Sequence, residues 1–465
     1  MKLSLGGHSR RARGLWVAGV ASVGLVGCGE TLESPLSEAV AREPVLTYEE
    51  FRAQAWREPD TGIFIVDGDT PVEGEEGLRA LYQDYVRDAE SMGVSELGTQ
   101  RAPLIVNRVN GADDQWGYLR QRNISYCVST AFGANYNTVV QAMAQAAAAW
   151  QQVNVRFHHR SDQDGACNAS NNQVIFDVRP VSGQSYLARA FFPSYSRASR
   201  NVLIDTSSFG NIAPWTLTGI LRHELGHTIG FRHEHTRPEA RTCFEDNNWR
   251  ALTGYDAASV MHYPQCNGSN RGDLNLTATD VSGARVLYGP LAETDVDTGF
   301  YLSNHGDLVN AYGAANWEAA RNHWLNWGIA EGRRSSAHFD VKYYLANNPD
   351  LVAAYGPTNY VAARNHWLNW GIGEGRRASA EFDVKYYLAN NGDLQAAFGN
   401  NYGAALNHWI HQGLYEGRRA SAEFDVKYYL ANNPDLVAAF GATNYPAAMD
   451  HWIFQGRAQG RRGAP

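Results

Sequence analysis

His223-Glu224-Leu225-Gly226-His227 places two imidazoles four residues apart, with a carboxylate beside the first. On a helix that spacing is about one turn, so both rings stand on one face and can reach one metal ion. Glu224 is then placed to take a proton from a water molecule activated there. Two histidines on a solvated helix face would give the same short pattern, and the next residues weigh against that reading. The chain continues Thr228-Ile229-Gly230-Phe231-Arg232-His233. Gly230 can adopt the left-handed conformation that ends a helix, and a turn there brings His233 back as a third nitrogen ligand. Three protein ligands leave one tetrahedral position open, which is the arrangement of a catalytic zinc and not of a structural one. One Zn2+ per chain is the expected cofactor.

The full pattern HExxHxxGxxH resembles the signature of the metzincin zinc metalloproteases. Ser259-Val260-Met261-His262-Tyr263, with Met261 28 residues beyond His233, is similar to the Met-turn of their astacin branch. The resemblance implies an α+β catalytic domain over residues 102–290, with a twisted mixed sheet and two long helices beside a zinc cleft. It also implies endopeptidase activity on protein or peptide substrates. His223, His227 and His233 match the zinc ligands, Glu224 the general base, and Met261 the hydrophobic floor. Tyr263 matches an optional fifth ligand that can stabilise a tetrahedral oxyanion, and Glu234 the carboxylate that pairs with the amino terminus of the mature enzyme. Val66-Asp67-Gly68-Asp69 resembles the family's aspartate switch, which makes Asp69 the candidate latency ligand and Asp67 the second choice. One departure bears on subfamily and side-chain preference: the astacin pattern continues Gln-x-Arg-x-Asp-Arg-Asp, whereas here Arg237 is followed by Pro238-Glu239-Ala240.

These residues need elements to hold them. Periodicity predicts helices over 136–153, 216–231 and 76–90, and strands at 124–128, 153–157, 174–178 and 202–204. Strand 202–204 is the candidate edge for an extended substrate. His158 and His159 read as strand residues satisfied locally, and Asp162 and Asp164 only faintly resemble a calcium loop.

The N-terminal part reads as an export and latency segment. Four basic residues and no acid precede Cys28, and the apolar run 15–26 has signal-peptide length. Leu25-Val26-Gly27-Cys28 resembles a bacterial lipobox, so residues 1–27 are expected to be removed and Cys28 lipidated. The protein is then anchored in the outer membrane or at the cell surface and released on activation. Residues 28–101 form an acidic pro-segment, with Arg101 as the candidate cut site. Of the remaining cysteines, Cys127, Cys167, Cys243 and Cys266 allow three pairings; Cys127–Cys167 and Cys243–Cys266 join neighbours within one sub-region and are favoured.

After a linker over 291–299, residues 300–465 repeat. His323, His366, His408 and His451, each followed by Trp, recur at intervals of 43, 42 and 43 residues. Four units of about 43 residues, each of three short helices, are expected to stack, because helices so short are marginal alone. The tail carries 14 basic and 14 acidic residues, so its Gly-Arg-Arg pairs read as locally neutralised and no segment suits nucleic acid. The competing function is a surface-binding or adhesive lipoprotein whose repeats meet a cell-surface or glycan ligand.

Overall fold

The computed structural model describes residues 46–465 apart from 60, 67, 92–103, 242, 244, 270 and 271. The signal segment, Cys28, Asp67 and Arg101 lie outside the described residues. Among those described, no helix is long and apolar enough to cross a membrane.

The described residues open with a small unit of their own. Helix α1 (Tyr48–Gln54) starts at a capping box in which Thr47 and Glu50 satisfy each other's backbone amides. Strands β1 (Trp56–Arg57), β2 (Phe64–Val66) and β3 (Thr70–Val72) form an antiparallel sheet, and α2 (Gly74–Ser91) covers it, two residues earlier than the periodicity suggested. Phe64, Val66 and Leu78 make its modest core.

The central unit follows with β4 (Ile105–Val109), β5 (Ala112–Asp113) and the short helix α3 (Tyr118–Gln121). Then come β6 (Ile124–Val128), α4 (Tyr136–Trp150), β7 (Phe157–His159), β8 (Phe176–Val181), β9 (Ala188–Arg189), β10 (Asn201–Asp205), α5 (Leu217–Thr228), β11 (Trp249–Ala251) and α6 (Ala278–Tyr288). The main sheet runs β7-β6-β8-β10-β9; all its pairings are parallel except the last, so it is mixed as expected. Along α4, Val139, Ala142, Met143, Ala146, Ala147 and Trp150 are buried, the stripe that a 3.6-residue period lays on one face. That face meets α5, and Trp150 Nε1 donates to the Arg222 carbonyl at 2.8 Å.

One expectation is corrected here. Val202–Ile204 is not an edge, because Leu203 pairs with Arg189 and Ile204 with Ala188. The edge strand is β9. Strands 153–157 and 174–178 also form about two to four residues later than their apolar runs suggested. The disulfides are Cys127–Cys167 and Cys243–Cys266, the favoured pairs. Asp164 bonds His159 at 3.0 Å and accepts from the Val128 amide, and Asp162 accepts from Arg160 at 2.7 and 2.8 Å, so neither aspartate stands in a calcium loop.

The tail forms four three-helix units. In the second, for example, Val341–Ala346, Pro349–Tyr355 and Tyr360–His366 are helical and the chain then relaxes into a π turn at Trp367–Gly371. Asp340, Asp383 and Asp425 each cap a first helix by accepting from two backbone amides. The recurring histidines are structural: His323, His366, His408 and His451 bond through Nδ1 to the hydroxyls of Tyr301, Tyr344, Tyr387 and Tyr429 at 2.8–2.9 Å. The first arginine of each Gly-Arg-Arg pairs with an aspartate of its own unit, as Arg376 does with Asp350 at 2.8 Å. Units do more than stack in a row. Phe300 of the first meets Phe454 of the fourth with ring centroids 4.9 Å apart, so the array closes on itself.

The expected linker is built into this structure: Val296 is buried in the repeat core and helix Thr298–Asn304 begins inside it. The closed array also docks on the central unit. Arg122 and Asp450 form a buried ion pair at 2.6 Å, and Asn444 Nδ2 donates to the Leu119 carbonyl at 3.0 Å.

Candidate metal centre

Helix α5 is the platform. Thr216 caps its start by accepting from the Gly219 amide, and the helix ends before Gly230, whose φ of +91° is the left-handed turn expected. A side chain there would also collide with the Asp114 carbonyl. The turn returns the chain so that His233 faces His223 and His227.

The three Nε2 atoms lie 3.2–3.3 Å from one another. Each Nδ1 is engaged outward: His223 donates to the Val260 carbonyl at 2.7 Å, His227 to the Phe231 carbonyl at 2.8 Å, and His233 to Glu245 Oε1 at 2.6 Å. A carbonyl or carboxylate can only accept, so each Nδ1 holds the proton and each Nε2 turns a lone pair inward. Three lone pairs so close repel unless a cation joins them. Zn–N bonds of about 2.0–2.1 Å at tetrahedral angles put such nitrogens about 3.3 Å apart, so the donor set and its spacing fit zinc.

A fourth group completes the cluster. Asp69, buried on the turn between β2 and β3, places Oδ1 3.1 Å from His233 Nε2 and 3.8 Å from His227 Nε2, with Oδ2 3.4 Å from His223 Nε2. Tyr263 donates its hydroxyl to Asp69 Oδ2. The sequence reading thus brought five residues from three separate segments to one point. Burial opposes the charge on Asp69, but positive charge at the cluster, a proton on His233 where no cation is bound, holds its carboxyl well below the usual range. Glu224 behaves oppositely: burial pushes its carboxyl well above the usual carboxylate range, and the charge on Asp69 adds to the effect. Its Oε2 is buried without a hydrogen-bond partner.

Met261 lies under the cluster, fully buried. A Cβ at Gly226 would collide with its sulfur, so glycine in that position of the helix is a packing requirement. Glu234 is buried on the far side. Its Oε1 accepts from the Asp256 amide at 3.2 Å and lies 3.4 Å from Arg237 Nη1, while Oε2 has no hydrogen-bond partner.

Residues 118–270 match the family model described as a dual-action HEIGH metallo-peptidase. This part of the chain is similar to a metzincin-type metallopeptidase domain. Curated relatives agree: tolloid-like protein 1 of Mus musculus is 30% identical over 182 residues, covering 34% of this chain and 16% of its own length. Blastula protease 10 of Paracentrotus lividus is 24% identical over 225 residues, covering 43% of this chain and 34% of the relative. The chain therefore spans about a sixth of the first of these relatives and a third of the second. The structure of high choriolytic enzyme 1, a hatching enzyme zinc-protease from Oryzias latipes, aligns at 19% identity over 40% of this chain and 99% of that one, with a TM-score of 0.28.

Two supports of the metallopeptidase site carry no sequence signal of their own. Asp280, at the third position of α6, accepts from Ser259 Oγ at 2.6 Å and from the Val260 amide at 3.0 Å, which pins the Met-turn. Glu245 orients His233 and is itself held by Arg232 at 2.8 Å and approached by His235 at 3.2 Å. Both act through spatial contact across 12 to 21 residues. Partners of this kind are worth about 10- to 100-fold in metal affinity. Glu245→Gln is accordingly expected to weaken zinc binding by that factor in a chelator competition titration. An unchanged affinity would show that the Glu245–His233 bond does not support the site.

Proposed function

We propose that the chain is an exported zinc endopeptidase held latent by its own N-terminal segment. The observation that carries this reading is the convergence of His223, His227 and His233 with the Asp69 carboxylate over the position an ion would take. When bound, zinc supplies Lewis-acid polarisation of the scissile carbonyl and makes a water molecule more acidic. Glu224, beside His223 at the cluster, takes the proton of the attacking water and passes it to the departing amine as the C–N bond breaks. Tyr263 donates its hydroxyl to the oxygen that gains negative charge in the tetrahedral state. The outward bonds of the three Nδ1 atoms keep the rings from turning, and Met261 fills the space beneath them.

Latency follows from the same contacts. While Asp69 sits in the cluster it occupies the open side, engages the Tyr263 hydroxyl, and raises the proton affinity of Glu224. All three effects end when the segment leaves. Glu234 supports the next step: its buried carboxylate faces the Leu104 amide, so a new amino terminus cut just ahead of Leu104 would give its free oxygen a charged partner. In this reading Cys28 tethers only the uncut chain, and cleavage near Arg101 frees the metallopeptidase domain with its repeats. Trp327 and Trp370, 56% and 58% exposed at matching positions of the first two units, support an accessory binding role for the repeats.

After removal of the N-terminal segment, the protein is expected to hydrolyse casein or gelatin, to stop on addition of a chelator, and to recover on addition of zinc. Hydrolysis indifferent to chelation would overturn the reading, and no hydrolysis at all would favour the adhesive alternative.

A further inference from the structure

Glu58, on the N-terminal segment, has its carboxylate buried among donors of the metallopeptidase domain. Arg189 donates to it twice, from Nε to Oε1 at 2.6 Å and from Nη2 to Oε2 at 3.0 Å. The Tyr186 hydroxyl donates to Oε1 at 2.5 Å, and Thr61 of the same segment donates to Oε2 at 2.5 Å. Asn201 Oδ1 accepts from Arg189 Nη1 at 2.8 Å, which fixes the guanidinium plane from behind. Arg189 and Tyr186 are 0% exposed and Glu58 is 3% exposed.

Arg189 lies on β9, the free edge of the main sheet, and β9 packs beside α5, which carries the metal ligands. A forked, charge-assisted pair of bonds to a carboxylate is geometrically specific as well as strong. A guanidinium left buried without an anion is strongly unfavourable. Within its own domain Arg189 meets the neutral Asn201 and Tyr186, while its anion comes from the segment that activation removes.

We propose that Arg189 and Tyr186, oriented by Asn201, form a carboxylate-binding subsite on the β9 side of the cleft, filled by Glu58 in the latent chain and by an acidic substrate side chain after activation. The subsite rests on the endopeptidase reading and adds a substrate class to it. A neutral isostere of glutamate would leave the fork unpaired, and sites built to bond a polar group reject analogues that lack it. Glu58 is in this sense a side-chain mimic of substrate, as Asp69 is a plug of the metal cluster.

The test walks a single Glu, then Gln, through the positions flanking the scissile bond of one peptide series, with the processed full chain as enzyme. At one position kcat/KM for Glu is expected to exceed that for Gln by about 10- to 100-fold. Arg189→Gln is expected to collapse that ratio to about 1, and Arg189→Lys, which keeps the charge without the fork, to leave an intermediate value. Should Arg189→Gln fail to fold, the unmodified enzyme's own Glu/Gln ratio decides. Equal rates for Glu and Gln at every position would overturn the subsite while leaving the protease reading intact. Failure to cleave any member of the series would bring down both.

Discussion

Glu224→Gln in the processed protein is expected to lower kcat/KM for peptide hydrolysis by about 10²–10⁴-fold, the usual contribution of a general acid–base group. Glutamine keeps the size and the burial of the side chain but cannot take a proton. Because Glu224 is adjacent to the ligands and not among the atoms that point into the cluster, zinc content should be unchanged. Measuring metal content beside the rate separates loss of a base from loss of a site. A decrease of less than 10-fold with zinc retained would mean that another group moves the proton.

The second large effect concerns how the repeats sit on the metallopeptidase domain. Arg122 and Asp450 are buried together, and burial pushes the Asp450 carboxyl up to about 6 against the pull of Arg122. Desolvation thus exceeds attraction, a common outcome for buried pairs, yet removing one partner strands the other. Asp450→Ala is expected to destabilise the protein by about 3–5 kcal/mol in chemical denaturation, while replacing both residues by apolar ones should restore most of it. The native protein should show the matching pH signature. Because the folded value of Asp450 lies above its ordinary value of 3.8, its contribution favours the folded state at low pH. That contribution is lost as the pH rises through about 6. A cost under about 1 kcal/mol for Asp450→Ala would mean that water already reaches Arg122.

The parts of the site that were legible in the sequence are those written in local spacing. The helix period fixes His223 and His227, a glycine with positive φ returns His233, and the Met-turn carries Met261 and Tyr263 within five residues. Asp69 was legible only through the resemblance of its short motif, since nothing in its own neighbourhood points to a histidine cluster more than 150 residues away. Glu245 and Asp280 were missed because an acidic residue in a loop or in a helix's first turn looks the same whether or not it orients a ligand. The edge strand was misplaced for a related reason. β9 is two residues long inside the apolar stretch Tyr186-Leu187-Ala188-Arg189-Ala190-Phe191, too short to show alternation, whereas β10 reads as a strand at once. The repeats announce themselves by their period, but the contact of Phe300 with Phe454 joins units 154 residues apart and has no periodic trace.

Peptide hydrolysis at this site requires three imidazoles sharing one cation with a side left open for substrate and water. Elemental analysis of the protein after removal of residues ahead of Leu104 tests this most directly. One equivalent of zinc per chain, lost in His227→Ala and retained in Glu224→Gln, is the predicted result; processed, folded protein that carries no metal and takes up none from a zinc solution would contradict it.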